Sequence, residues 1–285
     1  MGAALLGEIF VTTRPRVMGV VNVTPDSFSD GGRYATSEAA VDHGLRLLAD
    51  GADILDVGGE STRPGATRPL VEEELARVVP VITALAGAGA VVSVDTMRAE
   101  VAEAALGAGA SLVNDVSGGL ADPDMLRVVA GSEATYVAMH WRAHSDRMTD
   151  FAVYDGPGGV VEAVRAELAE RVAAIRAAGI ADERIVLDPG LGFAKHAEHN
   201  WALLRGLDRV ADLGFPLLVG ASRKTFLGRL LAAPDGTPRH VDEREAGSLA
   251  LTLLLAQRGV WGVRVHDVRA SRDVLRVMDE MGGPS

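Results

Sequence analysis

The sequence predicts a single (β/α)8 TIM barrel, an α/β fold of eight parallel strands that alternate with helices. First, eight short apolar runs each precede an amphipathic stretch, and this strict alternation is typical of a closed barrel. Second, several runs are hydrophobic almost without interruption, as expected of strands that are covered on both faces. Third, the sequence contains no glycine-rich dinucleotide turn and no Walker loop, which disfavours an open doubly wound sheet. The length of 285 residues fits one such barrel.

Each apolar run is bounded by Gly, Asp or Asn and is predicted to be a strand. The predicted strands are Val17–Val23, Ile54–Val57, Val91–Asp95, Leu112–Val116, Tyr136–His140, Ile185–Asp188, Leu217–Ala221 and Gly262–His266. The predicted helices are Ser37–Asp50, Glu72–Ala86, Arg98–Leu106, Pro123–Ala130, Val160–Ala178, Asn200–Leu213, Glu243–Gln257 and Ala270–Met281. The expected N-caps are Ser37 and Asp122, and the expected helix stops are Gly51, Gly179 and Gly214. The polar insertions 141–159 and 232–242 follow strands, so we expect them on the rim that the strand ends form.

Composition excludes several classes of protein. With 48% hydrophobic and 24% charged residues the chain is not a disordered one, and with 4% aromatic residues its core must consist of Val, Leu, Ile and Ala. The net charge of −11 and the scattered basic residues exclude a nucleic-acid binder. The absence of cysteine excludes disulfides, thiolate metal sites and a cysteine nucleophile.

The sequence shows no signal for a membrane or for export. No signal peptide is recognisable over Met1 to Phe10, and Leu6 stands where a myristoylation pattern requires Ser or Thr. No apolar stretch approaches the roughly 20 residues that span a bilayer. We therefore expect a cytoplasmic protein that binds neither membrane nor nucleic acid.

Polar residues end almost every predicted strand. In a barrel these ends meet at one face, where active sites lie. A single Asn, Asp or Ser is equally well explained as a strand stop, but charged residues at most of the ends favour an active face. The residues at the ends are Asn22, Asp56, Asp95, Asn114, Asp115, His140, Asp188, Ser222, Lys224, Arg264 and His266.

Three of these residues are hydrogen-bond acceptors from neighbouring parts of the barrel. Asp95, Asn114 and Asp188 together match the edge of a nitrogen heterocycle with adjacent N–H donors, because a carboxylate accepts two parallel hydrogen bonds. For Asp188 the alternative is ordinary turn chemistry, since it begins an Asp-Pro-Gly sequence.

Cationic residues form a second group at strands seven and eight, where barrels often bind phosphate. Ser222 is followed by Arg223 and Lys224, which we expect in the first turn of a helix, where only a bound anion makes cations favourable. Arg264 and His266 are two residues apart and share a side of strand eight. The alternatives are an N-cap role for Ser222 and a structural salt bridge for Arg264.

Two loops complete the predicted site. The loop Gly58–Gly65 contains Arg63, whose planar guanidinium suits phosphate, although an exposed turn is the alternative. The loop Asn22–Gly32 contains Phe28 and suits a mobile flap over a ligand, or else a surface turn. His140 is expected to be a hydrogen-bonded rim residue rather than a catalytic one. The pair Arg142 and His144 is expected in a solvated loop.

Seven segments of the sequence resemble the dihydropteroate synthase family, in the family's order and from about residue 17 to the end. They are Met18–Gly32, Gly51–Gly65, Ser93–Met97, Asn114–Gly119, Asp188–Lys195, Val219–Gly228 and Gly262–Val268. The resemblance implies one pterin-binding barrel domain over residues 1–285, with residues 1–16 as a short lead-in. It implies condensation of 6-hydroxymethyl-7,8-dihydropterin diphosphate with 4-aminobenzoate to 7,8-dihydropteroate and pyrophosphate.

The same resemblance implies a role for each site residue. The pterin would contact Asp95, Asn114, Asp188, Lys224, Met139, Gly220 and Phe193. The diphosphate would contact Asn22, Thr62, Arg63, Arg264 and His266, and Asn22 would also ligate Mg²⁺, the implied cofactor. Aminobenzoate would lie among Phe28, Thr62, Pro64, Phe193 and Ser222, where sulfonamide drugs compete in this family. The residues implied in catalysis are Asp95, Lys224, Arg264 and His266.

The implied mechanism is a dissociative substitution in which a cation forms at the pterin methylene and Asp95 stabilises it. Two alternatives share the pterin pocket: a pterin-binding methyltransferase, which would not need Arg63, Arg264 and His266, and a catalytically silent pterin-binding paralogue. The family is usually dimeric, so a homodimer is expected. The apolar stretch within Glu243–Gln257 is either its interface or simply a buried helix.

Overall fold

The computed structural model describes residues 14–24, 33–60, 68–144 and 147–282. Its eight strands form one parallel sheet in the order β6-β5-β4-β3-β2-β1-β8-β7. The strands are β1 Arg16–Asn22, β2 Ile54–Gly58, β3 Val92–Asp95, β4 Leu112–Asp115, β5 Thr135–Met139, β6 Ile185–Asp188, β7 Leu218–Val219 and β8 Gly262–Val265. A parallel bridge between Leu187 and Leu217 joins β6 to β7. The sheet therefore closes into the predicted barrel.

Helices follow the strands and cover the outside of the barrel. They are α1 Arg33–Ala49, α2 Val71–Gly87, α3 Ala99–Gly107, α4 Met125–Ala130, α5 Gly159–Ala177, α6 Ala197–Arg205, α7 Leu207–Ala211, α8 Thr225–Leu230, α9 Glu245–Gln257 and α10 Val268–Glu280. Short 3-10 turns occupy Met148–Phe151, Asp182–Arg184 and Val241–Glu243. Among the described residues no helix is long and apolar enough to cross a membrane.

All eight predicted strands and eight predicted helices overlap observed elements, and the differences concern their ends. The helix predicted over Asn200–Leu213 is two helices, α6 and α7, which meet at Gly206. The helix α8 lies in the connection from β7 to α9, where the sequence predicted that a helix opens after Ser222 but gave it no bounds. Its six residues are too few to show an amphipathic period.

The predicted helix stops are confirmed, whereas the predicted N-caps are wrong. The residues Gly51, Gly179 and Gly214 follow helices with φ of 98°, 92° and 81°, values that glycine adopts at little cost. Ser37 lies inside α1. Asp122 lies two residues before the N-cap of α4, Asp124, and its Oδ1 accepts a hydrogen bond from Asp124 N at 3.0 Å, in the turn that leads into that helix. Its Oδ2 accepts from Ala99 N at 2.8 Å, in the first turn of the preceding helix α3. That contact joins two loops and has no signature in local sequence.

The interior of the barrel is apolar toward the amino-terminal ends of the strands. One buried cluster gathers inward side chains from six strands together with a tryptophan just before β8: Met18, Ile54, Leu112, Val137, Val186, Leu218 and Trp261. Side chains on a strand alternate between its two faces, so the residue two positions later also points inward. This alternation determines which residues form the next interior layer, toward the carboxyl ends of the strands.

Ion pairs tie the elements together at the amino-terminal end of the strands. Asp53, just before β2, lies 2.6 Å from Arg272 of α10 and 3.8 Å from Arg16 of β1. The other carboxylate oxygen of Asp53 accepts a hydrogen bond from Val17 N at 2.8 Å. One carboxylate thus links the first strand to the last helix.

Candidate active site

The polar layer of the barrel lies directly above the apolar one. The alternation places Asp56, Asn114, Met139, Asp188 and Gly220 two residues beyond apolar interior positions of β2, β4, β5, β6 and β7. Asp95 pairs in register with Asn114 and with Gly58, so it lies at the same level. The predicted pterin residues from five strands are therefore brought together inside the mouth of the barrel.

Arg264 of β8 is the centre of this layer. Its Nε donates to Asp56 Oδ2 at 2.6 Å, and its Nη2 donates to Asp95 Oδ2 at 2.8 Å. Asn114 Nδ2 donates to the same Asp56 oxygen at 3.0 Å. The second oxygen of Asp56 is buried and has no hydrogen-bond partner in the described part of the chain. The salt bridge considered for Arg264 is present, and it links the carboxylates of Asp56 and Asp95.

Sequence reasoning left Asp56 out of the assigned site, although it ends a predicted strand. Its side chain is completely buried and accepts from both Arg264 and Asn114. A charged residue inside the apolar run Ile54–Val57 was the available signal, because carboxylates are almost never fully buried unless they are paired. Which partner would pair with it was not readable from the sequence.

The layer has more acceptors than donors. Burial raises the pKa of Asp95, with Arg264 opposing this shift and Asp56 adding to it. Burial also raises the pKa of Asp188, and Lys224 and the Gly190 N–H oppose that shift. Three carboxylates face one guanidinium and one ammonium here, so a ligand that supplies N–H donors would relieve the imbalance.

The loop after β6 forms one side of the same space. Asp188 Oδ1 accepts from Gly190 N at 2.7 Å, which is the turn chemistry considered for it. Lys224 Nζ donates to Leu191 O and lies 4.8 Å from the centre of the Phe193 ring. Burial lowers the pKa of Lys224 to about 8, and the charge of Asp188 limits the shift. The predicted contacts Phe193 and Lys224 therefore lie side by side.

The segment after β7 departs from expectation. Helix α8 begins at Thr225, so Arg223 and Lys224 precede it and the argument from the first helical turn is wrong. Arg223 has φ of 60° and pairs with Glu245 at 3.0 Å. Ser222 is not an N-cap: its Oγ lies 3.0 Å from His266 Nδ1. The structure thus joins Ser222 of the predicted aminobenzoate pocket to His266 of the predicted diphosphate site.

Of the remaining predicted residues, some lie in the described part of the chain and others lie outside it. Met139 is buried with Met97 and Val116, and Phe193 packs against that cluster. The side chain of Asn22 is on the inward face of β1, four residues after Met18. Gly220 lies beside Arg264, whose Cβ would be 3.7 Å from an added methyl. The predicted contacts Phe28, Thr62, Arg63 and Pro64 lie outside the described residues.

His140 directly follows β5 and is hydrogen-bonded, as expected, and its side chain is buried. Its Nε2 lies 3.0 Å from Glu167, and its Nδ1 lies 2.9 Å from Lys195 Nζ. The prediction of a solvated loop at Arg142 and His144 is wrong. Arg142 pairs with Glu167 and covers the ring of Tyr154, and His144 packs edge-on against Trp141. The partners of Arg142 are far apart from it in sequence, so no local pattern showed them.

The fold and the polar layer together define a pterin binding enzyme, and the sequence pattern of that family matches residues 18–266. A dihydropteroate synthase of Mycobacterium leprae is 54% identical over 265 residues, which cover 92% of each chain. A dihydropteroate synthase of Escherichia coli is 41% identical over 268 residues, 94% of this chain and 92% of the relative. The chain therefore belongs to the pterin binding enzymes and, within them, to the dihydropteroate synthase family of transferases.

Solved structures agree with this assignment. A Xanthomonas albilineans dihydropteroate synthase with 4-aminobenzoic acid superimposes with a TM-score of 0.86 at 48% identity and covers 95% of both chains. The same organism's enzyme in complex with 7,8-dihydropteroate gives a TM-score of 0.83 at 45% identity, again over 95% of both chains. A Yersinia pestis enzyme in a sulfonamide drug complex gives 0.86 at 38% identity, over 95% of this chain and 96% of the other.

Proposed function

We propose that this protein condenses 6-hydroxymethyl-7,8-dihydropterin diphosphate with 4-aminobenzoate, giving 7,8-dihydropteroate and pyrophosphate. The observation that carries the proposal is the buried layer of acceptors around Arg264, which is short of donors. Relatives that align over almost the whole chain are named for this reaction, and similar structures contain 4-aminobenzoic acid or 7,8-dihydropteroate.

The proposed pterin contacts follow from donor and acceptor chemistry. A pterin carries adjacent N–H groups along one edge and a carbonyl next to them, so it needs carboxylate or amide acceptors and one cationic donor. Asp188, Asn114 and Asp95 supply acceptors from three strands, and Lys224 supplies the donor. Phe193 and Met139 supply apolar surface for the ring.

The leaving group needs positive charge near its oxygens as the bond breaks. We assign this part to His266, to Arg264 and to Arg63, and we assign Mg²⁺ to Asn22. An amide oxygen at a strand end fits this metal, which binds through one or two protein oxygens together with substrate phosphates and water. The metal would neutralise charge on the diphosphate as pyrophosphate departs.

The proposed substitution is dissociative. The bond from the pterin methylene carbon to the diphosphate oxygen breaks, and its electron pair leaves with pyrophosphate. The buried carboxylate of Asp95 stabilises the resulting cation, and the aminobenzoate nitrogen forms the new bond and then loses a proton. Because an aromatic amine is nucleophilic without prior deprotonation, this reaction needs no strong general base. Exclusion of water protects the cation.

The direct test is to incubate the purified protein with pterin diphosphate, 4-aminobenzoate and Mg²⁺ and to measure pyrophosphate and dihydropteroate. We expect both products in equal amounts. Pterin binding without turnover would instead support a silent pterin-binding paralogue, and methyl transfer from a methylated pterin would support the methyltransferase. Addition of a chelator should abolish binding of the diphosphate substrate but spare free pterin. Equal binding with and without chelator would contradict the metal assignment.

We also propose that the protein is a cytoplasmic homodimer and that its aminobenzoate pocket binds sulfonamides. The apolar stretch of α9 was predicted to be either a dimer interface or a buried helix, and α9 has both buried and exposed leucines. Its residues Leu251 and Leu255 are buried, whereas Leu254 is 53% exposed and Val277 of the neighbouring α10 is 65% exposed. Sedimentation of the Leu254→Glu and Val277→Glu variants tests this face. A dimer of unchanged affinity in both variants would place the interface elsewhere.

A further inference from the structure

The sequence contains two lysines, Lys195 and Lys224, against 26 arginines. Both lysines donate hydrogen bonds to backbone carbonyls of the loop 189–193, which follows β6 and contains the proposed pterin contact Phe193. Lys224 lies on the substrate side of this loop. The proposed reaction gives no part to Lys195, which is buried behind the loop.

Lys195 has three acceptors, which match the three protons of an ammonium group and oppose the lowering of its pKa by burial and by the charge of Lys224. Its Nζ lies 2.9 Å from Gly190 O, 3.0 Å from Phe193 O and 2.9 Å from His140 Nδ1. The first two carbonyls are at the ends of a turn that Phe193 N closes on Gly190 O at 3.1 Å. A compact ammonium can donate in three directions, whereas the planar guanidinium of an arginine cannot replace it.

The third acceptor is oriented by a second network. His140 Nε2 lies 3.0 Å from a carboxylate oxygen of Glu167, which can only accept, so Nε2 carries the proton and Nδ1 accepts from Lys195. Burial and the charge of Lys195 lower the pKa of His140 to about 4, which keeps the ring neutral at neutral pH. Arg142 donates to both oxygens of Glu167 and fixes that carboxylate.

The loop has positive φ at two glycines, and the alanine directly after it, Ala194, has a costly backbone conformation. The residues Gly190, Gly192 and Ala194 have φ of 69°, 80° and 46°, and for alanine this region costs roughly 1 kcal/mol or more. A methyl group at Gly190 would lie 2.4 Å from His140 O. Ala194 O accepts a hydrogen bond from Tyr154 OH at 3.0 Å. Such a conformation persists only where several contacts hold it.

We propose that Lys195 is a positioning residue that holds the loop 189–193 in the shape required to bind pterin. It acts with Tyr154, which comes from the insertion 141–159 and anchors the end of the loop. This assigns a role to that insertion: Arg142 docks it on Glu167, and Tyr154 connects it to the loop. The inference rests on the proposed function for the identity of the ligand, but it concerns binding rather than turnover.

The test compares Lys195→Met with Arg272→Met. Both replace a largely buried cation with an apolar chain of similar length, but Arg272 lies at the opposite end of the barrel. The probe is 6-hydroxymethyl-7,8-dihydropterin, titrated by calorimetry without the second substrate. We expect Lys195→Met to raise the Kd about tenfold or more, and Arg272→Met to lower the Tm while leaving the Kd within twofold.

Steady-state kinetics adds a readout that a loss of stability alone would not move. In Lys195→Met we expect the KM for pterin diphosphate to rise about tenfold, with the KM for aminobenzoate unchanged at saturating pterin. Tyr154→Phe removes one hydroxyl and should raise the pterin Kd about threefold. This second variant keeps the test valid if Lys195→Met does not fold. A wild-type Kd in either folded variant, or an equal loss in Arg272→Met, would overturn the inference.

The test of the positioning role measures the Kd for pterin and does not require that the protein catalyse the proposed reaction. If the wild-type protein binds pterin but forms no dihydropteroate, the proposed function fails and the positioning role is still measured by the Kd. If the wild-type protein is active and Lys195→Met binds pterin normally, the positioning role fails and the function stands.

Discussion

The two ends of the barrel contain ion pairs of the same residue types in opposite proportions. At the amino-terminal end one carboxylate, Asp53, faces two guanidiniums, those of Arg16 and Arg272. At the carboxyl-terminal end one guanidinium, that of Arg264, is shared between Asp56 and Asp95. The first arrangement has an excess of donors, and the second has an excess of acceptors.

The two ends differ in the kind of buried polar atom that is left without a partner among the described residues. At the amino-terminal end Asp53 links β1 to α10 and both of its oxygens have partners, so the unpaired atom is a donor, Arg272 Nη1. At the carboxyl-terminal end one oxygen of Asp56 is buried with no partner among the described residues. An unpaired buried acceptor costs free energy unless a ligand satisfies it. The excess of acceptors is therefore what selects a ligand with N–H donors.

The largest effect is expected where an acceptor is exchanged for a donor. Asp188→Asn keeps the shape of the side chain but turns one oxygen into an N–H group, which would oppose a pterin N–H. We expect kcat/KM for pterin diphosphate to fall about 100-fold, equivalent to about 3 kcal/mol. Steady-state kinetics measures this. The matched exchange Asp53→Asn should leave kcat/KM within about threefold, and a loss equal to that of Asp188→Asn would contradict the comparison.

The next effect concerns the free energy of unfolding. Arg264→Met leaves the fully buried Asp56 and the neighbouring Asp95 without their cation, and we expect a loss of about 3 kcal/mol. Arg272→Met leaves Asp53 with Arg16 and a backbone N–H, so about 1 kcal/mol is expected. Urea unfolding at pH 7 measures both.

The pH dependence of the free energy of unfolding of Arg264→Met shows whether its loss of stability is caused by unpaired charge. Without the guanidinium the pKa of Asp95 rises further above its unfolded value, so the folded state retains a proton that the unfolded state loses. The variant should therefore recover stability as the pH falls from 7 to 5. A loss that does not depend on pH would show that packing, rather than charge, is responsible.

Pterin affinity should have two pH limits. Bound N–H donors favour ionised carboxylates. Burial raises the pKa of Asp95 to about 7 and raises that of Asp188 above its usual 3.8, so affinity should fall as acid protonates these two groups. Burial lowers the pKa of Lys224 to about 8, so affinity should also fall above that pH as its charge is lost. Calorimetry from pH 5 to 9.5 measures both limits. In Lys224→Arg the basic limit should disappear, and a limit that stays near 8 would assign it to another group.

The smallest effect is expected from Ser222→Ala. This change removes the hydroxyl that lies 3.0 Å from His266 Nδ1 and should cost about 1 kcal/mol, or about fivefold in the KM of the diphosphate substrate. Free pterin should bind normally. If binding of free pterin weakens to the same extent, Ser222 acts on the acceptor layer instead of on the anion site.

The predicted convergence of strand-end residues is confirmed where strand geometry decided the outcome. Residues that end parallel strands converge on one face whatever their partners are, so Asp95, Asn114 and Asp188 could be placed together from the sequence. The predicted set of residues was incomplete where membership depends on a side chain from a distant strand. Asp56 could be read as a strand end, but only the contact with Arg264 shows it as part of the layer.

Local sequence was enough to predict the barrel, its eight strands and the rim on which the polar residues lie, because apolar periodicity and strand ends are local properties. The pairing of those residues depends on tertiary contacts. Arg264 and Asp56 are 208 positions apart, and Lys195 and His140 are 55 apart. Whether a buried charge is paired, shared or left with an unused acceptor depends on side chains that meet across the barrel, and no local pattern encodes that meeting.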